Sequence, residues 1–100
     1  MQDYVAPMED YRFLLGEVLG FDAEMQELGK DVDADLAGAV LEEAGKFASG
    51  VLSPLNVVGD REGARWNDSA VQTAAGWREA YRQFAEGGWN ALSCRTEFGG

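Results

Sequence analysis

One hundred residues, 46% of them hydrophobic and 26% charged, make an ordinary globular chain of one domain at most. Eighteen acidic against eight basic residues leave a formal charge of −10, a surface that repels nucleic-acid phosphates and anionic lipid headgroups. Histidine does not occur, which removes the commonest general base and metal ligand, and the lone Cys94 excludes an internal disulfide.

The opening Met-Gln-Asp-Tyr-Val-Ala-Pro has neither the basic start nor the apolar stretch of a secretory signal. No apolar run approaches the roughly 20 residues that cross a bilayer. The expectation is a cytoplasmic protein. A first helix is predicted after Pro7, a residue suited to an opening helical position. Met8, Tyr11, Leu15 and Val18 recur at helical steps, Leu14 and Leu19 widen the stripe, and Gly20 is a natural stop. Glu9 and Asp10 favour the positive end of the helix dipole. Asp22 to Leu28 reads as a short helical segment capped by Asp22 and closed by Gly29.

The second main helix is the clearest. Asp31 or Asp33 caps it, and Leu36, Val40, Ala44, Phe47, Ala48, Val51, Leu52 and Leu55 follow a helical period. Glu42 and Lys46 are spaced to pair. Gly38 and Gly45, seven apart, share one face; either another helix comes close there or the glycines are plain sequence drift. Pro54 ends or kinks the helix. A long polar connection is expected from Asn56 to Gln72, with Val71 in a brief extended stretch. Thr73 caps a third helix in which Trp77, Ala80, Tyr81, Phe84 and Ala85 form one broad apolar face. Gly87-Gly88 terminates it, and Trp89 to Ser93 reads as extended or looped. The closing Glu97-Phe98-Gly99-Gly100 is a turn leading onward. With three good helices and large aromatic faces the chain reads as an all-α partial helical bundle, a fragment short of partners.

Chemistry-bearing constellations are scarce. Cys94 beside Arg95 could be activated, but a lone cysteine without a base is ordinarily a small packing residue. The acidic pairs Glu42/Glu43 and Asp33/Asp35 resemble a glycosidase dyad in composition only, since adjacent helical positions point apart. Val58-Gly59-Asp60-Arg61-Glu62-Gly63 lacks the strand-before, helix-after setting of a phosphate loop. Asn67-Asp68-Ser69 matches a glycosylation acceptor by chance. Trp66, Trp77 and Trp89 could stack on a planar ligand, though in a chain this short tryptophans more often pack. No catalytic, cofactor-binding or metal-ligating residue is assigned.

Several stretches, in order and with their spacing, resemble the N-terminal part of flavin-dependent acyl-CoA dehydrogenases. They are Leu41-Glu42-Glu43-Ala44-Gly45-Lys46-Phe47-Ala48 continuing to Val51-Leu52-Ser53-Pro54-Leu55-Asn56, Gly59-Asp60-Arg61-Glu62-Gly63, Glu79 through Trp89, and Glu97-Phe98-Gly99-Gly100. Tyr4-Val5-Ala6-Pro7 with Phe13-Leu14-Leu15-Gly16-Glu17-Val18-Leu19 resembles the leading segment of a branch extended at both ends. Departures fall in loops: Thr73-Ala74-Ala75-Gly76 without the usual proline, Ala64 for a frequent cysteine, and Arg95-Thr96-Glu97 for Asp-Pro-Glu.

The resemblance implies a parent of several hundred residues that removes an α proton from an acyl-CoA with a glutamate base and passes the β hydride to FAD. Electrons then leave to an electron-transfer flavoprotein. It implies that base and flavin site lie beyond Gly100, that residues 1–30 form an N-terminal extension, and that residues 31–100 begin the N-terminal helical domain. It also implies fatty-acid metabolism, a homo-oligomeric parent, and a structural, inactive role for this piece. The alternative is a free-standing acidic helical interaction module that binds a partner helix through its aromatic faces. Bare faces at Leu36–Leu55 and Trp77–Ala85 lead to an expectation of self-association.

Overall fold

Asp33 sets the start of the longest helix. Its backbone is extended and its Oδ1 accepts the Leu36 amide at 2.8 Å, while its carbonyl accepts from Ala37, the arrangement of a helix N-cap. The computed structural model describes residues 4–100. It is mostly helical, as expected, with α1 (Met8–Phe13), α2 (Phe21–Glu27), α3 (Ala34–Phe47), α4 (Ser53–Glu62) and α5 (Trp77–Glu86). A small antiparallel hairpin joins β1 (Arg65–Asn67) to β2 (Ala70–Gln72). Two compact units divide the chain, Met1–Ser53 and Pro54–Gly100.

In the first unit, Pro7 is the N-cap of α1 and its carbonyl accepts from Tyr11. After Phe13 the helix widens into a π turn at Leu14–Val18, where the Leu19 amide donates to Leu14 five residues back. This turn carries Val18 off the inward stripe: Met8, Tyr11 and Leu15 line the α3 side, whereas Leu14 and Val18 are exposed. Gly20 adopts the left-handed conformation and caps α2, so Asp22 is not the cap. Its carboxylate instead accepts the first amide of α3, from Ala34, at 2.6 Å, which ties α2 to α3. Lys30 and Gly29 donate back to Met25 and Gln26, the paired bonds that end a helix at a left-handed glycine.

Pro54 does not end the helical run. A second π turn, Ala48–Leu52, precedes it, and α4 opens at Ser53. Proline lacks an amide and crowds the carbonyl four residues back; a turn bonded five residues back relieves both demands. Two serines one turn apart hold Tyr4: Ser49 Oγ donates to its carbonyl at 2.8 Å and Ser53 Oγ accepts its amide at 3.4 Å.

The second unit corrects the expected loop. Residues through Glu62 are helical, and Gly63 stops α4 with a left-handed backbone. The hairpin follows, with Trp66 opposite Val71, so the extended stretch at Val71 is real. Asp68 and Ser69 both take positive φ in its two-residue turn. The α5 cap is Gly76, not Thr73, and of the extended and looped alternatives for Trp89–Ser93 the extended one is excluded, since Trp89–Ala91 is a 3₁₀ turn. The Trp77 indole lies on α4: its Nε1 donates to the Leu55 carbonyl at 3.3 Å, and Glu62 accepts the Ala75 amide at 3.1 Å.

The expectation for paired glycines divides. At Gly45 a Cβ would stand 2.9 Å from that of Ala6, so the close approach is real but comes from the segment before α1. At Gly38 nothing lies within 4 Å. Gly59 is the tighter position, since a methyl there would run into the Trp77 ring. Gly38→Ala is therefore expected to stabilise the chain by up to about 1 kcal/mol, through helix propensity alone. Gly59→Ala is expected to destabilise it by about 1–3 kcal/mol through overpacking. Urea unfolding followed by circular dichroism measures both; a destabilising Gly38→Ala would refute the open geometry at that face.

Candidate functional site

No interior accumulates around which a site could be enclosed. Ala74 at 9% exposure and Ala80 at 5% are the buried hydrophobic residues among those described. The accessible surface is 7990 Å², whereas a compact chain of this mass exposes about 5,600 Å² and two separate compact halves together about 6,700 Å². The excess is apolar in part: Trp66, Val71, Tyr81, Leu92 and Phe98 of the second unit are each more than half exposed, as are Phe13, Val18, Leu19 and Leu28 of the first.

A concavity lies in the first unit, between α1 and α3, with a volume of about 350 Å³. Met8, Tyr11 and Leu15 face Gly38, Ala39 and Leu41 across it. Its polar groups are Arg12, Asp35 and Glu42. One member of each acidic pair thus lines the same cleft, because Asp35 and Glu42 are two helical turns apart on α3. Arg12 stands 3.8 Å from Glu42, and both side chains are more than half exposed. This exposed pair contributes little stability. The expected Glu42–Lys46 pair is replaced by Glu43–Lys46 at 3.0 Å, which raises the lysine pKa through that hydrogen bond first and the charge of Glu43 second.

The other sequence candidates scatter. Cys94 is exposed, and its neighbour Arg95 pairs with Glu97 at 3.5 Å. Asp33 is committed to the α3 cap. Residues 58–62 are helical, so no phosphate-cradling loop forms there. Asn67-Asp68-Ser69 runs into the hairpin turn. The tryptophans occupy different environments: Trp66 on the exposed hairpin, Trp77 against α4, Trp89 beside Gly87. Among the described residues no group of three His, Cys, Asp or Glu side chains could hold a metal ion, and no helix is long and apolar enough to cross a membrane.

Charge is unevenly shared, a feature the whole-chain total conceals. The first unit holds 12 acidic and 3 basic residues, a formal −9, and the second 6 and 5, a formal −1. On α5 the acids are already engaged: Arg82 bonds to Glu79 and to Glu86, and Gln83 adds a contact to Glu79 at 3.4 Å. The Arg82 hydrogen bond, then that of Gln83, holds the Glu79 carboxyl at about 2, below its ordinary 4.5.

Comparison with known proteins adds one kinship. The chain is 36% identical, over 97% of its length, to the 3-methylmercaptopropionyl-CoA dehydrogenase of Ruegeria pomeroyi. It spans 17% of the length of that curated relative. No protein-family model matches the chain.

Two outcomes follow from this geometry. Because the Glu79 pKa is depressed in the folded state, its contribution to stability is present above pH 4.5 and is lost as pH falls toward 2. Carboxylate NMR titration of Arg82→Gln is expected to return Glu79 toward 4.5; an unchanged midpoint would show that Arg82 is not the cause. Separately, the nearly neutral second unit, with Trp66 and Tyr81 exposed, is expected to self-associate. Light scattering should show a mass that rises with concentration and falls in Trp66→Ser/Tyr81→Ser, and a strict monomer would contradict it.

Proposed function

From its kinship over 97% of its length with an acyl-CoA dehydrogenase, we propose that this chain is the N-terminal helical part of such an enzyme. Residues 1–30 are its leading extension and residues 31–100 the start of its helical domain. The role of the chain is structural: its helices form one wall against which the rest of the parent packs. The parent is an FAD-dependent, cytoplasmic, homo-oligomeric oxidoreductase that introduces an α,β double bond into an acyl-CoA thioester and hands electrons to a carrier flavoprotein.

The carrying observation is the combination of similarity along nearly the whole chain with a 17% share of the relative's length. The surface supports it, because exposed aromatic and aliphatic faces are what a wall leaves when the rest of the room is elsewhere. The α1–α3 cleft does not fit a flavin. The α1–α3 cleft of about 350 Å³ lies at the small end of ligand pockets and presents Asp35 and Glu42. Its one cation, Arg12, already faces Glu42, so a pyrophosphate would meet carboxylates without a free basic partner. No catalytic step is assigned to a residue of this chain.

The purified chain is expected to show no flavin absorbance and no oxidation of acyl-CoA substrates with an artificial electron acceptor. Stoichiometric flavin or measurable turnover would overturn the structural role. The alternative, a free-standing interaction module, is favoured by the exposed aromatic faces and would gain if a stop codon directly followed Gly100 in the reading frame.

A further inference from the structure

The outer side of α1 and its π turn carries a pattern that neither the helix pair nor the proposed parent reaction uses. Phe13 is 59% exposed, Leu14 46%, Val18 57% and Leu19 61%. Glu9 and Phe13, like Asp10 and Leu14, stand four residues apart on neighbouring positions, and Glu17 and Val18 follow in the π turn. Apolar side chains are therefore bracketed by carboxylates. None of Glu9, Asp10 and Glu17 has a cationic partner among the described residues. Arg12, the one basic residue between Met8 and Gly29, is paired inward with Glu42.

The occupant of this face follows from its charge. A second copy would bring together two units of formal charge −9, and nucleic acid or an anionic bilayer would be repelled in the same way. A helix with an apolar stripe and lysine or arginine flanks satisfies both parts of the pattern. Its stripe covers Phe13, Leu14 and Val18, and its cations meet Glu9, Asp10 and Glu17. We propose that the outer face of α1 and its π turn docks a basic amphipathic helix of a partner protein. This inference stands apart from the acyl-CoA dehydrogenase reading and uses no residue of the second unit.

The probe is a fluorescein-labelled amphipathic peptide of leucine and lysine, compared by fluorescence anisotropy with a scrambled peptide of the same composition. The amphipathic peptide is expected to saturate at one per chain and to bind at least about tenfold more tightly than the scrambled one. Phe13→Ser/Val18→Ser is expected to weaken it at least about tenfold, since both side chains would be central apolar contacts. Both positions are exposed, so the variant should keep its helical circular dichroism. Glu9→Gln/Glu17→Gln should weaken binding and flatten its salt dependence. Tyr81→Ser, in the second unit, should leave it unchanged. Equal binding of the scrambled peptide, or wild-type affinity in Phe13→Ser/Val18→Ser, would overturn the proposal. So would sedimentation showing chain dimers that this variant dissociates, which would make a second copy the occupant.

Discussion

A shortage of interior governs this molecule. Two alanines are the buried hydrophobic residues among those described, so large apolar side chains cannot hold the helices together by enclosure. The work falls to local devices: a carboxylate cap at Asp33, an interhelical bond from Asp22 to the first amide of α3, serines gripping Tyr4, and an indole lying on glycine. Each is worth about 1 kcal/mol. They define helices well and bury little.

That condition explains which parts of the fold were legible in the sequence. The α3 start was, because Asp33 acts on an amide three residues away and needs no tertiary information. Gly20, Gly29 and Gly76 all take left-handed backbones at helix ends, although only the first two were read as boundaries. Beyond local range the reading failed for identifiable reasons. Asn56, Gly59, Asp60 and Arg61 give residues 56–62 the composition of a loop, yet they are helical, and Gly59 is the position that admits Trp77. The hairpin was hidden because its strands have three residues each and its turn uses Asp68-Ser69 where Asn-Gly would have announced it.

The candidate surfaces were legible in part. The apolar face of α5 was visible from spacing, and its burial is graded: Ala80 is enclosed, Phe84 and Ala85 half-buried, Tyr81 exposed. The outer face of α1 was not visible, because a strict 3.6-residue period assigns Leu14 and Val18 to the same stripe as Met8 and Leu15. Composition likewise gave the total charge but not its partition, which depends on where the chain divides. The kinship with a dehydrogenase came from residue order along the chain, information of a kind that helical periodicity does not contain.

The π turn at Leu14–Val18 has a further consequence for how this segment can vary in length. Such a turn holds one residue more than the regular spiral requires. Removing Gly16, around which nothing crowds within 4 Å, would let the coil close into an ordinary α-helix without breaking it. Everything after the excision would then keep its place around the axis, because the π turn has already absorbed the surplus residue, and Val18 would stay on the outer side. A single-codon deletion at this point is therefore absorbed: it leaves the helix intact and keeps the same side chains turned to water.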